Sequence, residues 1–121
     1  MPQETLSLQA ITAKERKEVT WNVKEALRMS QAWITNFQMF SNKAIGIQFE
    51  VTFQSVSELK ERLKSLDIGF QSDWESQFER LEKLYENDRD TYKEQDIRGS
   101  MNVAFEHDEP ELLIPIPMVP G

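Results

Sequence analysis

Between Ile45 and Gln54 the chain alternates apolar and polar residues without a break. Ile45, Ile47, Phe49, Val51 and Phe53 interleave with Gly46, Gln48, Glu50, Thr52 and Gln54. A period of two puts all the apolar side chains on one side of an extended strand. The preceding segment, residues 26–40, is rich in large apolar residues and fits either period. As a helix it gathers Ala26, Ser30, Trp33, Phe37 and Phe40 on one face. As a strand it gathers Leu27, Met29, Trp33, Phe37 and Met39. Ser41-Asn42-Lys43 is a short polar link in which asparagine tolerates a left-handed backbone. A hairpin over 27–53 lets both halves pair locally, so the reading is strand–turn–strand.

Two helices are expected next. Ser55-Val56-Ser57-Glu58 has the form of a capping box, and Val56, Leu59, Leu63 and Leu66 recur at helical spacing, predicting a helix over 56–66. Glu58 and Arg62 stand four apart in the favourable order, and Gly69 is a natural stop. Ser72-Asp73-Trp74-Glu75 opens a second pattern, with Trp74, Phe78, Leu81, Leu84 and Tyr85 on one stripe, predicting a helix over 73–86. Met101, Val103, Phe105 and His107 alternate with polar or small residues, predicting a strand over 100–107. Val19, Trp21 and Val23 predict a short strand, and residues 1–18 read as a polar arm. The sum is an α+β domain over 19–121, with an antiparallel sheet covered on one face by two helices.

Composition narrows the function. There is no cysteine and one histidine, which removes disulfides, thiolate chemistry and multi-histidine zinc sites. A net charge of −7 argues against nucleic acid or an anionic membrane as partner. No apolar run is long enough to cross a bilayer. The N-terminus carries no secretory pattern, so a cytoplasmic location is expected. Four glycines assemble no phosphate-binding loop, and no cofactor is expected. His107 stands among acids, and Glu50 is the sole acid between Ala26 and Ser55. Neither has a partner that would make it catalytic, so no enzyme is expected.

The segment Leu112-Leu113-Ile114-Pro115-Ile116-Pro117-Met118-Val119 is almost wholly apolar, and Glu106, Asp108, Glu109 and Glu111 precede it. In an extended strand, amides of residues i and i+2 point the same way. Pro115 and Pro117 therefore remove donors from one edge, while Ile114, Ile116 and Met118 keep them on the other. Three uses follow: the blocked edge strand of its own sheet, an element exchanged between copies, or a segment docked on another protein. Leu112, Ile114, Ile116 and Met118 are the candidate partner-binding residues. The resulting expectation is a self-associating interaction or assembly module, a homodimer or other homo-oligomer. The alternative is a small-molecule-binding domain, with Trp33, Phe37 and Met39 lining an apolar pocket between sheet and helices.

Overall fold

The computed structural model describes residues 3–106. Its elements are β1 (Thr5–Thr12), α1 (Arg16–Met29), β2 (Trp33–Phe40), β3 (Ala44–Thr52), α2 (Val56–Lys64), β4 (Gly69–Phe70), α3 (Trp74–Asn87), α4 (Arg89–Tyr92) and β5 (Asp96–Phe105). The five strands form one sheet in the order β2-β3-β5-β1-β4. Apolar residues of β1, β3 and β5 face the helices and are buried with Val19, Val23, Leu27, Leu59, Leu63, Phe78 and Leu81. The architecture is α+β, but the sheet is mixed rather than antiparallel throughout. Thr5 to Thr12 run parallel to Arg98 to Phe105 in unbroken register.

That parallel pair corrects the expected N-terminal arm. Residues 5–12 are an interior strand, with Leu6, Leu8, Ala10 and Thr12 buried and the residues between them exposed. Their alternation is hard to see in the sequence because the buried set includes Ala10 and Thr12 while Ile11 points outward. The strand expected around Val19–Val23 is instead the first half of α1. Val19, Val23, Ala26 and Leu27 are buried at helical spacing, and Trp21 is left outside. The long strand over 27–40 is correspondingly shortened: α1 runs through Met29, Gln31 turns with a φ of 63°, and β2 starts at Trp33. The hairpin of β2 with β3 stands, joined through Ser41–Lys43. Strand β5 begins earlier than expected, at Asp96.

Helices α2 and α3 lie close to their expected positions, but neither uses the capping box its sequence offers. A 3-10 turn over Phe53–Ser55 precedes α2, and the Thr52 hydroxyl accepts the Ser55 amide. Ser55 is thereby already helical and its hydroxyl makes no cap bond. Asp73 stands at the start of α3 without a side-chain cap, and its carbonyl accepts from the Ser76 hydroxyl instead. The Glu58–Arg62 pair forms as expected, at 2.8 Å. Gly69 does not stop α2, which ends at Lys64; it lies in β4, and a Cβ there would sit 3.0 Å from the Ile11 carbonyl oxygen.

Helix α1 is capped by Glu15, as the short α4 is by Asp88. The Glu15 carboxylate accepts the backbone amides of Glu18 at 2.8 Å and Lys17 at 3.0 Å. Those amides hold its pKa below the ordinary 4.5, that of Lys17 contributing most. A depressed folded-state pKa gives stability that is present above the unfolded value and lost as pH falls through the folded one. Glu15→Gln is therefore expected to lower stability at neutral pH. The difference from wild type should vanish in acid, as chemical denaturation across pH 2–7 would report.

At the centre of the sheet, Gly99 of β5 registers opposite Phe49 of β3 and Leu6 of β1. A Cβ on Gly99 would fall 2.2 Å from the Phe49 ring. The outer end of the ring rests on the backbone that glycine leaves bare, in a core close-packed enough to resist one added methyl. Gly99→Ala is expected to cost roughly 1–3 kcal/mol in urea denaturation. An unchanged midpoint would show that Phe49 moves aside freely.

Candidate functional site at the open edge of the sheet

The two edges of the sheet are built differently. Strand β4, only two residues long, covers Ala10 and Ile11 of β1. The rest of that edge is closed by two glutamine side chains. The Gln71 amide accepts from the Gln9 backbone N–H at 2.8 Å and donates to the Ser7 carbonyl at 2.7 Å. The Gln77 amide accepts from the Ser7 N–H at 2.9 Å and donates to the same carbonyl at 3.0 Å. Each carboxamide does what the peptide group of a neighbouring strand would do. The edge is thus satisfied and short, the usual protection against further pairing. Replacing both Gln71 and Gln77 with alanine is expected to speed hydrogen exchange at the Ser7 and Gln9 amides, with little change in the β3–β5 ladder.

The opposite edge, β2, has no such protection. It is eight residues long, pairs only with β3 among the described residues, and contains no proline and no charged residue. An irregularity at Thr35 shifts its phase, so Ile34 registers opposite Phe49, Phe37 opposite Ile47 and Met39 opposite Ile45, while Trp33 registers opposite Glu50. Cross-strand partners share a face. Ile34, Phe37 and Met39 therefore lie on the helix-covered side, and Trp33 and Phe40 on the open side. The helix layer thins out at this edge. Trp33, Ile34, Met39 and Phe40 all stay exposed, and Phe37 is half-buried.

Helix α1 supplies the rest of the surface. Trp21, 65% exposed, is the most exposed large apolar side chain of the described residues. It borders two depressions beside β2. One, of about 210 Å³, is lined by Arg16, Lys17, Thr20, Lys24 and Met39 as well. The other, of about 350 Å³, also meets Glu25, Arg28, Ala32, Trp33 and Ile34. The Lys24 ammonium sits 4.0 Å above the Phe37 ring, and the Arg16 guanidinium is 3.8 Å from the Met39 sulfur. Arg28 binds the Glu25 carboxylate at 2.7 and 3.2 Å; that hydrogen-bonded pairing pulls the Glu25 pKa below its ordinary value. Arg16, Lys17, Lys24 and Lys43 make no ion pair among the described residues. In a chain of net charge −7 these four cations stand around an apolar strip, with Glu15 beside Arg16 and Lys17.

The sequence-derived pocket residues are placed apart. Phe37 packs against the core under Lys24, while Trp33 and Met39 border separate depressions at the edge. Neither of the two depressions at this edge is lined by all three. Trp21 and Ile34 lie with Met39 on the helix-covered side of this edge, and Phe40 lies with Trp33 on the open side. The signal available for this edge was the absence of charge and proline from residues 33–40. Glu50 is half-buried on the open sheet face, opposite Arg98 and Trp33. It borders a cavity of about 510 Å³ with Thr5, Ser7, Thr35, Gln48 and Ser100. Among the described residues no group of three or more acids or histidines converges to hold a metal ion. No helix among them is long and apolar enough to cross a membrane. His107, Leu112, Ile114, Ile116 and Met118 lie outside the described residues.

Comparisons with protein-family models, curated proteins and solved structures return no match.

Proposed function

We propose that this protein is a small, non-enzymatic, cytoplasmic interaction or assembly module that associates with itself through β2 and the adjoining face of α1. The observation that carries the reading is the unprotected edge. A long, uncharged, apolar strand with free backbone groups on one side is a template for pairing, and stable monomers normally blunt such edges. Here the other edge is blunted by Gln71 and Gln77, while this one presents Trp33, Ile34, Met39 and Phe40 beside Trp21. Contiguous exposed apolar surface ringed by polar groups marks interaction sites, and tryptophan and arginine are the side chains that most often anchor them. Closed two-fold assembly is the commonest outcome for such a surface in a single chain type.

The test is the solution mass. Wild-type protein is expected at two chains of 14.2 kDa. The double variant Ile34→Lys, Met39→Lys places charge on the strip without touching the buried core and is expected at one chain, with an unchanged circular dichroism spectrum. A double variant that keeps the wild-type mass overturns the reading, as does a wild-type mass of one chain.

A further inference from the structure

We infer that the occupant of the β2 edge is the segment 112–119 of a second copy, added antiparallel to Trp33–Phe40. The inference rests on the self-association reading and names the element that performs it.

Four observations support it. The first is length: the apolar segment and β2 are both eight residues long. The second is the donor pattern. With Ile114, Ile116 and Met118 bonded to β2, the prolines at 115 and 117 face outward. The added strand then presents an edge without those two amides, where a third chain finds fewer donors. An exchanged pair would thereby be protected along both of its new outer edges.

The third is charge. The connector 106–111 carries Glu106, Asp108, Glu109 and Glu111, with His107 among them and no lysine or arginine. The cations without ion pairs beside the edge are Arg16 and Lys17 near Met39, Lys24 over Phe37, and Lys43 in the hairpin turn. An acidic connector leading onto this strip meets opposite charge, which fixes direction and register.

The fourth is direction. β2 and β5 are both antiparallel to β3, so they run the same way, toward the hairpin turn. The Phe105 amide donates to the Lys43 carbonyl at 2.7 Å, so the connector starts beside that turn. For a chain's own segment to lie antiparallel on its own β2, the connector would have to cross three strand spacings, about 14 Å, and reverse direction. Its six residues reach about 20 Å at full extension. Four like charges oppose that reversal, because self-repelling linkers extend. An extended connector delivers the segment to a neighbouring copy, the usual origin of exchanged edge elements.

The experiment uses full-length chains and native mass spectrometry. The tail variant Ile114→Asp, Ile116→Asp and the edge variant Ile34→Lys, Met39→Lys are each expected to run as one chain. Mixed in equal amounts, with one isotopically labelled, they are expected to recover a two-chain species holding one of each. The tail variant keeps an intact edge and the edge variant an intact tail. The variant Pro115→Ala, Pro117→Ala restores the outward donors and is expected to produce species larger than two chains. If the tail variant stays dimeric while the edge variant does not, β2 pairs with β2. The assignment of the tail is then overturned while the self-association reading stands. If both variants are single chains and the mixture does not recover a pair, the exchange is overturned. A wild-type mass of one chain overturns both.

Discussion

The parallel ladder between β1 and β5 joins the two ends of the described chain, Thr5–Thr12 against Arg98–Phe105. Nothing local could form it, because the paired residues lie some ninety positions apart and loop closure must be offset before their contacts contribute. Once it exists, the rest of the layout is constrained. With β5 between β3 and β1, the hairpin strand β2 is left at the margin. The connection from β1 to β2 must pass under the whole sheet, and α1 makes it, burying Val19, Val23, Ala26 and Leu27 as it goes. The helix therefore arrives beside the long edge strand, carrying Trp21 and its cations there.

The same ladder explains why the two edges differ. β1 is next to the margin, and α3 runs alongside it closely enough for Gln77 to reach the backbone of Ser7. Side-chain carboxamides can replace a neighbouring strand only where a packed element holds them at hydrogen-bonding distance. No element is so placed along the outer side of β2 among the described residues. Its backbone groups are left to water or to another chain, and its apolar side chains have only the rim of α1 for cover.

Much of this was legible in the residues. The alternation from Ile45 to Val51, the stripes Val56-Leu59-Leu63 and Trp74-Phe78-Leu81, and the alternation from Met101 to Phe105 all became the expected elements. β1 was obscured because its buried set includes Ala10 and Thr12, so the period of two carries little hydrophobic contrast. α1 was obscured because Val19, Trp21 and Val23 mimic a strand over five residues, and only the continuation to Ala26 and Leu27 reveals the helix. The site was partly legible. The apolar character of 33–40 is plain, but which residues share a face was not. The irregularity at Thr35, invisible in the sequence, sends Trp33 to the side opposite Phe37 and Met39. That a strand would lie at the margin is a property of strand order, which depends on the remote β1–β5 pairing and on no local pattern.

Net charge sets a condition on any assembly of this chain. Two copies at −7 each repel at long range, and that repulsion discourages indiscriminate pairing of the exposed strip. Close contact is favourable only where the local sign is reversed. Arg16, Lys17, Lys24 and Lys43 reverse it along β2, whereas the acids of α3, Glu75, Glu79, Glu82 and Glu86, lie on an element that packs by the other edge. Screening by salt weakens both terms beyond about 10 Å at 0.1 M, but the short-range attraction is screened less than the diffuse repulsion. An apolar strip alone would bind any apolar segment. Set among cations on an acidic protein, it would favour an apolar segment that follows a run of carboxylates, and residues 106–119 have that order.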